Sequence, residues 1–142
     1  MHLRQSGRAN VATEPSFEII VDTQAGIIRT VLRGLWTMED VTAFSGGMFA
    51  AVQEIAPLQP VFGLLSDSTA FPVQTLEVAN EFARLAEEGN RGRSGPTAII
   101  VGSTLNKLQV RRMFPDPRVH VFTDFTEAEA WLDGELRAAR AG

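Results

Sequence analysis

Apolar and polar positions along this chain follow two different periods, and the changes of period mark out its elements. Residues 17–22 (FEIIVD) and 27–33 (IIRTVLR) alternate as strands do, and the short segment 23–26 between them suits a hairpin turn. Met38, Val41, Phe44, Met48, Val52 and Ile55 then recur every three or four residues, which predicts a helix with one apolar face. Thr37 and Asp40 have the spacing of a capping box at its start; Gly34 ends the strand before it, and Pro57 and Pro60 close the helical region. A continuous apolar run over residues 61–66 (VFGLLS) predicts a central strand covered on both faces. Leu76, Ala79, Phe82, Ala83 and Ala86 predict a second helix over residues 73–88, with Gly89 as its terminator. Residues 97–101 (TAIIV) predict another buried strand, residues 105–114 a short helix stopped by Pro115, and residues 119–123 (VHVFT) a last strand. A final helix over residues 127–139 is expected to start on a capping box of Thr126 and Glu129, with Phe125 stapled onto Ala130.

The predicted order is β-β-α-β-α-β-α-β-α. Strands that alternate with helices imply right-handed crossovers and parallel pairing. The expected fold class is therefore α/β: a five-stranded, mostly parallel sheet made from an N-terminal β-hairpin followed by βα repeats, with four helices. Residues 1–15 (MHLRQSGRANVATEP) are polar and have no period, so they are expected to form a disordered tail ahead of one domain over residues 16–142.

Composition narrows the chemistry. The chain has 142 residues, enough for one core, and a net charge of −4, which offers no broad footprint for nucleic acid. It has no cysteine and only His2 and His120, which removes disulfides, thiolate metal sites and a cysteine nucleophile, and leaves zinc chemistry thin. No cofactor or metal is expected. No apolar run approaches the ~20 residues needed to span a bilayer, and no secretory signal is present, so no stable membrane insertion and a cytoplasmic location are expected.

In an open α/β sheet, ligands meet the loops beyond the carboxyl ends of the parallel strands. Read that way, Trp36, Asp67 and Ser103 would rim a small polar site, although hydroxyl residues there also serve as ordinary helix caps. Gly102-Ser103-Thr104-Leu105 has the place of a nucleophile elbow without its pattern, and neither a phosphate loop nor a dinucleotide fingerprint is present. Asp67 with Ser68 would be an acid and nucleophile pair lacking an evident base. His120, mid-strand, reads as a surface or packed histidine. Gly46 and Gly47 inside a helix cost about 1 kcal/mol each relative to Ala, so they either admit a close neighbour or a ligand, or are tolerated. Arg91 and Arg93 fall in a glycine-rich loop and would grip an anion or lie in solvent. Lys107, Arg111 and Arg112 form either a phosphate-binding or partner-binding patch, or a solvated helix face.

Three C-terminal segments carry a resemblance: TAIIV at 97–101, LNKLQVRR at 105–112, and VFTDFTEAEAWL at 121–132. Together they resemble bacterial SpoIIAA-like proteins of the STAS superfamily, whose fold relatives include CRAL-TRIO lipid-carrier domains. The resemblance implies a non-enzymatic regulatory or interaction module that binds a protein partner or itself as a homodimer. Its alternative is a carrier of a small apolar or amphipathic, lipid-like ligand, with Gly46 and Gly47 leaving room for it. In anti-sigma antagonists of that family a serine at the start of the helix after the third strand is phosphorylated. Here FPVQT (71–75) stands at that point, so Thr75 is the nearest hydroxyl, and Ser68 lies several residues too early.

Overall fold

The hairpin sets the direction of the sheet. In the computed structural model, which describes residues 14–141, β1 (Ser16–Asp22) and β2 (Ile27–Arg33) pair antiparallel from Ser16 opposite Arg33 to Asp22 opposite Ile27. Asp22 closes the turn twice: its carbonyl accepts from the Gly26 N–H at 2.9 Å and its Oδ1 from the Ala25 N–H at 3.0 Å. The tail expected over residues 1–15 lies, up to residue 13, outside the described residues, as does His2.

After the hairpin, three crossovers each add one parallel strand. α1 (Met38–Ile55) leads to β3 (Gly63–Ala70), α2 (Leu76–Asn90) to β4 (Thr97–Val101), and α3 (Thr104–Met113) to β5 (Val119–Phe122). The sheet order is β1-β2-β3-β4-β5, parallel from β2 onward. Because each crossover steps to the next position in the same direction, a common handedness puts α1, α2 and α3 on one face. α4 (Phe125–Ala141) returns across the other face, over β3, β4 and β5.

Strand periodicity divides the core accordingly. Phe17 and Ile19 of β1 and Ile28 and Leu32 of β2 face α1, where they meet Val41, Ala51, Ile55, Trp36 and Phe71. Ile27, Leu65, Ala98 and Ile100 point the opposite way and are sealed by Ala128, Leu132 and Leu136 of α4. Ile99 and Val101 pack with Val110 of α3. β4 is buried along its whole length, as a central strand covered on both faces should be.

The architecture matches the expected fold class, with differences in the extent of its elements. β3 runs from Gly63 to Ala70, so Asp67, Ser68 and Thr69 lie inside the strand and not in the loop after it. Asp67 pairs with both Val31 and Ile100, and the two backbone ladders outweigh the turn-like composition. α2 starts at Leu76, with Thr75 as its N-cap, and passes through Gly89 to Asn90. β5 stops at Phe122. α4 starts at Phe125: Asp124 Oδ1 accepts from the Glu127 N–H at 2.9 Å, so Asp124 takes the capping role expected of Thr126. Glu129 is thereby free to reach Arg29 at 3.2 Å, and Phe125 is exposed instead of stapled.

Candidate functional site

The carboxyl ends of β2, β3 and β4 converge on one edge of the molecule, and a single glutamine holds the loops there in place. Gly34 leaves β2 with φ of 80°, a conformation glycine adopts without steric cost, and its N–H bonds to the Ala70 carbonyl at 3.0 Å. This lets residues 34–37 fold back against the end of β3. Gln74, buried in the β3–α2 loop, then ties that loop to the one between β2 and α1. Its Oε1 accepts from the Trp36 N–H at 2.8 Å, and its Nε2 donates to the Gly34 carbonyl at 3.1 Å and the Pro72 carbonyl at 2.7 Å. α3 grips the same loop from the other side. Gln109 exchanges two bonds with the backbone of Gln74, at 3.1 and 3.2 Å, and Asn106 Nδ2 donates to the Phe71 carbonyl at 2.8 Å. Buried polar groups that are all bonded in this way fix a loop in one conformation.

A shallow cleft of about 450 Å³ lies on this edge, lined by Gly34, Thr69, Pro72, Gly102, Ser103 and Asn106. Gly102 is there by necessity: a Cβ at that position would stand 2.5 Å from the Thr69 carbonyl oxygen. Ser103 is the N-cap of α3, its Oγ accepting from the Asn106 N–H at 3.1 Å. Beside the cleft, the start of α2 and the outer face of α3 expose apolar side chains: Val73 at 38%, Leu76 at 76%, Leu105 at 65% and Leu108 at 49%. Thr75 sits among them, exposed, its Oγ1 accepting from the Val78 N–H at 3.3 Å.

The remaining predicted positions separate. Trp36, expected on the rim of a polar site, is 2% exposed and is a core residue. Its ring lies 5.8 Å from Phe17, 5.3 Å from Phe44, 5.0 Å from Phe71 and 5.9 Å from Phe82, and its indole N–H is bonded to the Arg33 carbonyl. Asp67 and Ser68 are consecutive strand residues, so their side chains point to opposite faces and do not act as an acid and nucleophile pair. Asp67 Oδ1 accepts from the Thr69 N–H and Oγ1, while Ser68, 4% exposed, is bonded to Ser66. His120 lies on the α4 side of β5 and stacks on Trp131 at 4.3 Å.

Gly47 is buried and Gly46 exposed, with nothing within 4 Å of a Cβ built on Gly46. Phe44, one turn before Gly47 on α1, packs into the aromatic core, 5.3 Å from Phe17 and 5.7 Å from Phe82. Among the described residues no group of metal-ligating side chains converges, and no helix is long and apolar enough to cross a membrane.

The two arginines of the glycine-rich loop part company. Arg91 pairs with Glu87 on the surface. Arg93 turns inward over the Phe62 ring at 4.9 Å and donates to the Phe62 carbonyl at 2.8 Å, with further bonds to Pro96, Thr97 and Asn90. Burial, and then the nearby charge of Arg118, push its pKa down to about 10, so it is still a cation at neutral pH. Arg118 bonds to Asp116 at 2.7 Å and to the Arg93 and Asn90 carbonyls, and this hydrogen bonding holds the Asp116 carboxyl below the usual carboxylate range. The larger cleft nearby, about 800 Å³, is rimmed by such paired charges together with Arg112 of α3. This is a fastening of the α2–β4 loop and not an anion grip.

Sequence reading missed Gln74, Asn106 and Gln109. A glutamine between Val73 and Thr75 looks like any polar loop residue, because its three partners are brought to it only by the folded topology.

The fold has relatives among solved structures. One is a crystal structure of a DUF3478-family protein with a SpoIIAA-like fold from Shewanella loihica PV-4, at TM-score 0.63 and 19% identity over 89% of this chain and 99% of that one. Another is a crystal structure of an anti-sigma factor antagonist from Mycobacterium paratuberculosis, at TM-score 0.52 and 14% identity over 82% and 93%. No protein-family model and no curated protein matches the sequence. The five-stranded sheet, its one antiparallel pair and these two likenesses together establish that the chain has the SpoIIAA-like fold implied by its C-terminal motifs.

Proposed function

We propose that this chain is a non-enzymatic regulatory module that acts in the cytoplasm by binding a protein partner or a second copy of itself. Its contact surface is the start of α2 together with the outer face of α3. The observation that carries the reading is the placement of Val73, Leu76, Leu105 and Leu108 in solvent around a loop clamped by Gln74. Exposed apolar side chains on a rigid, polar-braced edge suit recognition, because little conformational entropy remains to be lost on binding. The likeness to an anti-sigma factor antagonist supports a protein as the partner.

Thr75 is the phosphoacceptor in this reading. Its hydroxyl is exposed at a helix N-terminus, where the dipole and the first-turn N–H groups favour a phosphate. Ser68 is not accessible to a kinase without opening the strand. A phosphate at Thr75 would add charge in the middle of an apolar contact surface and weaken binding.

A photo-crosslinking residue placed at Leu76, and as a control at the exposed Phe49 on α1, tests this in living cells. Position 76 is expected to capture one discrete protein, or the chain itself, and position 49 is not. Thr75→Asp should reduce that capture and Thr75→Ser should preserve it. Equal capture at both positions, or none at 76, would overturn the proposal.

A further inference from the structure

We infer that the outer face of α3 receives an acidic, amphipathic segment of a partner protein. The inference rests on the binding-module reading above and names the chemistry of its partner. α3 (TLNKLQVRRM) contains no acidic residue. Lys107, Arg111 and Arg112 are the cations that no carboxylate or carbonyl neutralises among the described residues. Arg29, Arg33, Arg84, Arg91, Arg118 and Arg137 each pair with an acid, and Arg93 and Arg140 donate to backbone carbonyls.

Among the described residues of a chain with a net charge of −4, the unpaired positive charge thus lies on one short helix. The dipole accounts for Arg111 and Arg112 in the last turn of α3, but not for the exposed Leu105 and Leu108 that precede them. Positions 105, 108 and 112 follow a spacing of three and four, so the two leucines and Arg112 form one stripe, with Arg111 at its border. Gln109, bonded to Gln74, places the Val73–Leu76 segment alongside this stripe. The surface therefore alternates apolar anchors with positive charge, which is complementary to a helix bearing leucine-like and carboxylate side chains on one face.

Other occupants fit less well. A two-fold contact between copies would set two net-positive patches against each other. Arg112 and the bordering Arg111, without an aromatic side chain on the stripe, give a weak platform for single-stranded nucleic acid. Val73, Leu76, Leu105 and Leu108, on a loop and two helices, anchor too little area to hold a bilayer surface stably.

The test uses the whole chain and a fluorescein-labelled synthetic helix of leucine and glutamate at amphipathic spacing. Its counterpart has lysine for glutamate. Phosphatidylserine vesicles and an oligouridine RNA are measured in parallel. Binding of the acidic peptide is expected to fall with rising salt and to weaken about tenfold or more in the Arg111→Glu/Arg112→Glu variant. The Leu105→Ser/Leu108→Ser variant should weaken it comparably. All of these positions are exposed, and an unchanged circular dichroism spectrum confirms that each variant is folded. The inference is overturned if the basic peptide binds as well as the acidic one, if charge reversal leaves affinity unchanged, or if only vesicles or RNA bind. Crosslinking from Leu76 in the charge-reversed protein separates the two claims. Undiminished capture there removes the acidic partner and leaves the binding module standing. Lost capture, together with peptide binding by the unaltered chain, supports both.

Discussion

Gln74 carries more of the site's geometry than any other side chain. Replacing it with Ala leaves the Trp36 N–H and the Gly34 carbonyl buried without partners, at a cost of about 2–4 kcal/mol. Urea unfolding should show this as a lower midpoint, and an unchanged midpoint would remove the clamp from the account. Two glycines make an opposed pair. Gly46 faces open space, so Gly46→Ala should stabilise the protein by up to about 1 kcal/mol through helix propensity alone. Gly102→Ala forces a methyl against the Thr69 carbonyl, and thermal unfolding should find it destabilised. At this scale the sequence was only partly legible. The unfavourable helical glycines could be seen, but which of them faced solvent could not. Trp36 looked like a rim residue because it stands in a loop next to a cap, yet that loop folds back over the sheet and buries the indole among phenylalanines.

Helices and strands were legible wherever side-chain periodicity decided the outcome, and less so where hydrogen bonding did. α1 begins where its capping box predicts, with both limbs of the box formed between Thr37 and Asp40. α4 illustrates the converse. Two overlapping caps were available, and Asp124 prevailed over Thr126, adding Phe125 and Thr126 to the helix. The length of β3 was invisible from its own composition, since Asp67-Ser68-Thr69 reads as a turn until both neighbouring strands are present. Element ends also set two measurable energies. Thr75→Ala removes the α2 cap and should cost about 1 kcal/mol, which Thr75→Ser restores. Arg93→Lys replaces a guanidinium that reaches Phe62, Pro96, Thr97 and Asn90 at once with a single ammonium, and should cost about 2 kcal/mol by chemical denaturation.

For the molecule as a whole, the order of elements was enough to give the topology. A hairpin followed by strictly alternating strands and helices, under the handedness rule, leaves few arrangements other than a sequential sheet. The division of helices between its faces follows from that order too, because only α4 has no later strand to reach. Surface function was less legible, since it depends on which charges find partners, and pairs such as Arg29 with Glu129 join residues distant in the chain. Leu132→Ala gauges how much the lone helix contributes. Its side chain is buried against Gly63, and the substitution should cost about 2–5 kcal/mol.

The sequential sheet bears on how the protein is made. Every strand from β2 onward has as its sheet neighbour the strand synthesised just before it, so each finds a pairing partner already present as it leaves the ribosome. α4 emerges last. Until it docks, Leu65, Ala98 and Ile100 stand open to water on one side of an otherwise assembled sheet. The nascent sheet is therefore most prone to aggregate in the interval between completion of β5 and completion of α4.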